Sequence, residues 1–326
     1  MKKLGIVLPT YNRCKYAHES VLALLPQLKK NTENVSLLIT DNASPDSTEE
    51  MLRPLAVQYP EIITYVRQPK NIGPHANFYY GIKNIDAEYV YLLGDDDLVS
   101  PHFVDTILEI IETNSEVGII HMNYLEGPEN LKDVTVHHHE IHDFHLIKNY
   151  NDGTSFIKDF MIAPSFMSSN VFRRDCMLDG LKSNYHEDCY GYDWLVCLYT
   201  GIINKKCLYY NLPLVVQRWG GAYARFALNT ILGQQRVFDY MNPYIPGISE
   251  YWRNSVSGMY STLSAIKSIC SNKKTYKPYF KEIKSCLKSR THRICLYCAL
   301  FLPSVIGKII IDEFKVVSKL NNKFVK

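Results

Sequence analysis

The chain has 326 residues, 46% hydrophobic and 21% charged, which excludes wholesale disorder and leaves room for one large α/β domain with an appendage. Its 36 Lys and Arg against 33 Asp and Glu leave a formal charge of +3, too weak to point to nucleic acid as a partner. Nine cysteines in no regular framework, and a start that turns polar after a short apolar run, argue against a disulfide scaffold and a signal-peptide core. The expectation is a reduced, cytoplasmic protein.

The first 125 residues read as strands alternating with helices. Leu4 to Leu8 is a short apolar run closed by Pro9, the mark of a strand buried on both faces. Ala17 to Leu28 carries apolar residues at helical spacing. Val35 to Ile39 is a second strand, stopped by the turn-rich Asp41-Asn42-Ala43-Ser44-Pro45, which can cap a following helix. Ile62 to Val66 is a third strand and Ala76 to Ile82 a helix. Tyr89 to Leu93 is a fourth strand, ending at Gly94-Asp95-Asp96-Asp97, and a helix from Pro101 to Glu112 leads to a strand at Gly118 to Met122. Strand, helix, strand with short connections predicts parallel strands and right-handed crossovers.

Periodicity stops between Gly127 and Asp152, where His137, His138, His139, His142 and His145 read as a solvated loop over the active-site face rather than a metal site. A strand at Ser165 to Arg174, a helix at Tyr192 to Tyr199 and a strand at Leu208 to Val216 follow. After Gly220-Gly221 the chain turns to helices rich in Tyr, Lys and Ser, so the expected division is 1–221, with halves 1–125 and 126–221, and a helical region 222–326. Cys295 and Cys298 form a C-x-x-C with no second pair, which carries neither zinc nor redox chemistry by itself. Basic residues crowd from Lys267 to Arg293 against the single acid Glu282. Ile294 to Ile311 then has only Lys308 charged and is interrupted by Pro303 and Gly307. Two readings stand for this tail: an in-plane, peripheral contact with an anionic membrane, or an ordinary helix buried in the protein.

Carboxylates recur at the C-terminal ends of the predicted parallel strands, where open α/β sheets form their ligand crevice. Asp41 ends the second strand, and Asp95, Asp96 and Asp97 end the fourth. Three adjacent carboxylates repel one another unless a cation or donor groups offset their charge, and a hard ion such as Mg²⁺ or Mn²⁺ shared with a diphosphate would do so. The competing reading is a charged helix start, with Asp97 as a cap.

Four motifs occur in order: Ile6-Val7-Leu8-Pro9-Thr10-Tyr11-Asn12-Arg13, the turn from Asp41 to Thr48, Asn71-Ile72-Gly73 with Asn77, and Tyr91-Leu92-Leu93-Gly94-Asp95-Asp96-Asp97 with Pro101. Together they resemble the nucleotide-binding half of glycosyltransferase family 2, of the bacterial surface-glycan type. The resemblance is good over about the first 125 residues, looser to Gly220, and absent from the tail.

The resemblance implies an α/β GT-A fold with a mostly parallel central sheet and a C-terminal helical extension. It implies a metal-dependent inverting glycosyltransferase using Mn²⁺ or Mg²⁺. The donor would be a nucleoside-diphosphate sugar, UDP-type by preference, and the acceptor a glycan or lipid-linked molecule at the inner face of the cell membrane. Pro9, Thr10 and Tyr11 would lie along the nucleoside with Arg13 close by, and Asp41 would accept from the base. Asn71 and Gly73 would form the turn beside the nucleotide, and Asn77 the following helix. The family's usual D-x-D-D is here G-D-D-D, so Gly94 replaces the first acid. Asp96 is the first choice as metal ligand, with Asp95 and Asp97 as contacts to metal or donor sugar.

The base that takes the acceptor proton would be an Asp near a helix start. Asp188 offers the literal Glu187-Asp188 pair, and Asp193 leads straight into an apolar helix and is preferred. Arg218, in Gln217-Arg218-Trp219-Gly220-Gly221, resembles the basic segment that closes over the diphosphate, and Ser169, Asn170, Phe172 and Arg173 resemble the acceptor-side strand. Two rivals lack their signatures: a nucleotidyltransferase needs a glycine-rich phosphate loop after the first strand, and a dinucleotide oxidoreductase a G-x-G-x-x-G turn. A non-catalytic member, binding nucleotide sugar within a glycan-assembly complex, remains open.

Overall fold

In the computed structural model, the apolar run near the N-terminus is a strand buried from Leu4 to Thr10, and a sheet is built outward from it. The structure describes residues 1–136, 147–183, 186, 189, 191–218, 229–287 and 289–323. The expected histidine-rich loop, Asp188 and Trp219 lie outside them. The chain divides into two compact units, Met1–Ser183 with Cys197–Gly221, and Asn184–Val196 with Ala222–Lys326. The segment Asn184–Val196 thus belongs with the helical unit, a difference from a single break at residue 221.

In the first unit, β1 (Lys2–Thr10), α1 (Cys14–Lys30), β2 (Val35–Asp41), α2 (Thr48–Gln58), β3 (Ile63–Arg67), α3 (Pro74–Asn84) and β4 (Ala87–Leu92) alternate as expected. They are followed by β5 (Leu98–Val99), α4 (Phe103–Thr113), β6 (Val117–Gly127), β7 (Thr135–Val136), β8 (Ile147–Tyr150) and α5 (Gly153–Phe160). Then come β9 (Asn170–Arg173), α6 (Arg174–Ser183), α7 (Asp193–Ile202), whose first turn lies in the second unit, and β10 (Lys206–Arg218).

The sheet order is β3-β2-β1-β4-β9-β6-β10-β5, with β7 on β6 and β8 on β10. The first four strands are mutually parallel, and β6 is parallel to β10. Between these two groups β9 runs antiparallel to both β4 and β6. A parallel sheet flanked by helices buries its strands on both faces, which is why each read as an unbroken apolar run. The stretch expected as one strand from Ser165 is instead two short 3-10 turns before β9, with Ser168 and Ser169 buried in the second.

Register places the acids. Thr10 pairs with Asp41 and Asp41 with Arg67, while Val7 pairs with Leu92 two residues before Gly94. The ends of β1, β2, β3 and β4 therefore form one edge.

The second unit is helical and packs its own core from Ile231, Leu263, Ile266, Ile283, Leu296 and Ile311, among others. The apolar tail is two helices, Arg290–Phe301 and Ser304–Lys323, broken at Pro303, whose ring cannot continue the first. Among the described residues no helix is long and apolar enough to cross a membrane.

Candidate active site

The turn after β1 leaves the sheet through Asn12, held at φ 56°, and the turn after β2 through Ala43, at φ 61°. Hydrogen bonds tie the two together: the Asn12 amide donates to Ser44 Oγ at 3.0 Å, and the Ser44 amide to Asp41 Oδ1 at 2.8 Å. Asp41 is fully buried, and its Oδ2 accepts from the Tyr65 hydroxyl at 2.6 Å and from Arg67 Nη1 at 2.7 Å. Burial and the neighbouring carboxylate hold the Tyr65 phenol far above its ordinary range. A carboxylate offers about four acceptor sites, so one lone pair of Asp41 remains for a further donor. Tyr65 and Arg67 were not singled out in the sequence; their only signal was lying at the end of a strand next to one that ends in an acid.

Beside Asp41, the Asn42 side chain bridges Asn71 Oδ1 at 3.1 Å and the Ile72 amide at 2.8 Å. Gly73 takes φ 85°, a conformation favouring glycine, and donates its amide to Asn71 Oδ1 at 2.8 Å. Asn77 is buried, and its amide donates to the Thr40 carbonyl at 2.7 Å. Asn77, expected as a donor contact, is bonded here to the backbone of β2.

The aspartate triplet divides by direction. Asp95 and Asp97 are 8% and 4% exposed, whereas the Asp96 side chain is 23% exposed. Thr10 Oγ1 donates to Asp95 Oδ2 at 2.8 Å; Arg13 Nη1 reaches Asp95 Oδ1 at 3.2 Å and Asp96 Oδ2 at 2.5 Å. Asp97 accepts from Ser168 Oγ at 2.6 Å and from the Arg218 amide at 3.2 Å. Ser20 Oγ donates to the backbone carbonyls of Asp97 at 2.7 Å and Asp95 at 3.2 Å, pinning the loop from α1. Burial pushes Asp95 up to about 6 against the pull of Arg13, and burial with the charge of Asp96 pushes Asp97 up to about 7. For Arg13, burial opposes the charge, but Asp95 and Asp96 outweigh it and raise its pKa.

Gly94 has a local reason. A Cβ there would lie 2.7 Å from Asp97 Oδ2 and 3.2 Å from Ser168 Oγ, and the Gly94 amide donates to Ser168 Oγ at 2.9 Å. The space of the family's first acid is filled by Asp97 and Ser168. Neither Ser168 nor Ser20 carried a sequence signal, because each meets the triplet across more than 70 residues of chain.

Arg218 is tied by its side chain to three partners. Its Nε donates to the Asp96 carbonyl at 2.8 Å, Nη1 to the Glu129 carbonyl at 2.6 Å and Nη2 to Glu19 Oε2 at 3.0 Å, while its guanidinium lies 5.0 Å from the Tyr16 ring centroid. Arg218, expected at the diphosphate, holds the backbone of Asp96 through the bond from its Nε. Pro9 is buried at the end of β1 and Tyr11 is 43% exposed on the same edge. Asp193 begins α7 in the second unit, two residues after Gly191 at φ 101°, and is buried.

Among the described residues no group of three His, Cys, Asp or Glu side chains could by itself hold a metal ion. The donor set nevertheless fits a hard cation shared with phosphates, which takes one or two carboxylates rather than a protein cage. Asp96 presents such an oxygen and already faces a cation, Arg13. Asp97 is turned inward onto Ser168, so as a ligand it would first have to leave that bond.

Residues 5–175 match the family model described as glycosyl transferase family 2. The abequosyltransferase RfbV of Salmonella typhimurium is 29% identical over 114 residues, 35% of this chain and 34% of that protein. The poly(ribitol-phosphate) beta-N-acetylglucosaminyltransferase TarP of Staphylococcus aureus is 28% identical over 131 residues, 39% and 38% of the two chains. The chain is thus matched over little more than a third of the length of these relatives. In structure, S. aureus TarS 1-349 in complex with UDP-GlcNAc superposes with a TM-score of 0.56 at 11% identity, over 96% of this chain and 91% of that one. The mannosyltransferase PcManGT from Pyrobaculum calidifontis, in complex with GDP-Man and Mn2+, gives 0.51 at 13% identity, over 99% and 88%. The fold is GT-A, as the sequence motifs implied, and the chain belongs to glycosyl transferase family 2.

Proposed function

We propose that the chain is an inverting glycosyltransferase that moves one sugar from a nucleoside diphosphate, UDP-type by preference, to a glycan or lipid-linked acceptor in surface-polysaccharide assembly. The observation that carries the reading is the meeting of Thr10, Arg13, Asp41, Asp95 and Asp96 on the edge formed by β1, β2 and β4. Relatives that carry glycosyltransferase names, and structural neighbours in complex with UDP-GlcNAc or GDP-Man, support it.

In this reading the remaining lone pair of Asp41 accepts a ring N–H of the base, and Asn71, Gly73 and Tyr11 border the nucleoside. Asp96 would hold Mn²⁺ or Mg²⁺, which when bound would supply charge neutralisation for the departing diphosphate. Arg13 leaves Asp96 for a phosphate oxygen, a change of partner that suits a guanidinium. Arg218 keeps the Asp96 backbone in place. Asp193, favoured over Asp188, takes the proton of the acceptor hydroxyl as its oxygen bonds to the anomeric carbon. The bond from that carbon to the diphosphate breaks on the opposite face, and its electron pair leaves with the nucleotide.

A panel of nucleotide sugars screened for Mn²⁺-dependent thermal stabilisation tests binding, because a ligand of the native state raises its stability. Release of free nucleotide from the stabilising donor tests turnover. Stabilisation without release, with acceptors supplied, would favour the non-catalytic reading.

A further inference from the structure

The helical unit carries an apolar surface that its own core does not use. At the turn between the helices Arg290–Phe301 and Ser304–Lys323, Phe301, Val305 and Ile306 are 57%, 70% and 48% exposed, and Leu302 is only half-buried. One turn to either side, Tyr297 and Ile309 are 41% and 57% exposed. These residues lie within thirteen positions of one another on both sides of the turn, so the tip of this helical hairpin is mostly apolar, with Ser304 and Lys308 the polar side chains among them. The inward faces of the same helices are separate: Cys295, Leu296, Ala299, Leu300 and Ile311 pack into the core. Tyr297, Cys298, Phe301 and Leu302 also line a shallow cleft of about 470 Å³. An exposed patch this concentrated marks a contact with something apolar.

The surroundings of the tip are cationic. Lys273 donates to the Leu302 carbonyl at the turn itself, with exposed Lys274 next to it in sequence. Lys284 donates to the Tyr297 hydroxyl at 2.9 Å and lies 5.8 Å from the Phe280 ring centroid. Lys308 stands one turn beyond Ser304. The nearby acids are offset or remote: Glu282 pairs with Arg236 at 3.0 Å, Asp312 pairs with Lys267, and Glu313 lies more than two turns past the break. Lysines that keep their stems on apolar surface and their charge in water suit the boundary between acyl chains and anionic headgroups.

We propose that this hairpin tip docks on an anionic lipid leaflet, with Phe301, Leu302, Val305, Ile306 and Ile309 entering the headgroup boundary and Lys273, Lys274, Lys284 and Lys308 meeting the headgroups. The contact is in-plane and reversible, since the inserted segment is a turn and not a span. It goes beyond the catalytic reading and does not rest on it.

The full chain is sedimented with phosphatidylcholine vesicles, with and without roughly a third phosphatidylglycerol, at low and high salt. Binding to the anionic vesicles alone, weakened by salt, is expected. Val305→Glu with Ile309→Glu, and separately Lys274→Glu with Lys308→Glu, should each lower partitioning about tenfold or more, with unchanged thermal melting. The second pair keeps the test open if the first disturbs folding. No vesicle binding by the wild type, or equal binding by the folded variants, overturns the proposal. So does self-association in solution, read by light scattering, that these variants abolish in the absence of any vesicle binding.

Discussion

Arg13 lays one guanidinium nitrogen 2.5 Å from Asp96 Oδ2 and 3.2 Å from Asp95 Oδ1, bridging the outward and an inward carboxylate of the triplet. In the chain without ligand, this cation offsets the charge at the strand end. Arg13→Ala should therefore lower stability by about 1–3 kcal/mol, since Asp95 would keep its burial and lose a partner. Added Mn²⁺ should then raise the melting temperature of the variant more than that of the wild type. Equal shifts in calorimetry would show that Arg13 and the metal do not compete for Asp96.

Asp96 and Asp97, adjacent in sequence, should separate by phenotype. Asp96→Ala is expected to abolish turnover and weaken Mn²⁺-dependent donor binding while leaving the fold nearly unchanged, because its side chain is partly exposed and Arg218 holds its backbone. Asp97→Ala should cost about 1–3 kcal/mol of stability by stranding Ser168. Denaturant midpoints and metal-dependent donor affinities, measured side by side, check the split. A stable Asp97→Ala protein that has lost only metal would return Asp97 to the ligand set.

Gly94 is predicted to resist any side chain. Gly94→Ala brings a methyl within 2.7 Å of Asp97 Oδ2, so it should destabilise by about 1–2 kcal/mol. Gly94→Asp, which rebuilds the family's usual acid, should be worse, since it adds charge beside a buried carboxylate. Thermal melting of both variants tests this, and a neutral Gly94→Asp would sink the steric account.

The choice of base is settled by two substitutions. Asp193→Asn should leave donor affinity largely intact and cut transfer by about a hundredfold or more, within the range general-base removal spans. Asp188→Asn should have little effect on either. The reverse outcome in a transfer assay with measured donor affinity would reassign the role.

In the helical unit, burial lowers His292 from 6.5 to about 4. Above the unfolded value both states are neutral, and stability is at its full level. Between the two values the unfolded chain takes a proton that the folded one refuses, so stability falls as pH falls, by roughly 3 kcal/mol at the low end. His292→Leu should flatten that decline between pH 7 and 4.5, read as denaturant midpoints; an unchanged slope would remove His292 as its source.

The strand-and-helix alternation and the acids at its strand ends were legible in the chain because a strand buried on both faces must be apolar throughout. What interrupts it is therefore the edge where polar chemistry collects. Asp41 and the aspartate triplet stood out for that reason, and the four ordered motifs supplied the family. Side-chain direction was not legible. That Asp95 and Asp97 turn inward while Asp96 turns out depends on Ser20, Ser168 and Arg218, which arrive from α1, the turn before β9 and the end of β10. The partners of Asp41 likewise come from β3 through register. The tail showed the same limit: its composition stated that it was apolar and basic, but a helix has two faces. Only packing decided that Leu296 and Ile311 went to the core and Val305 and Ile309 to the surface. Local pattern reports which residues prefer water; long-range contacts decide which of them are left facing it.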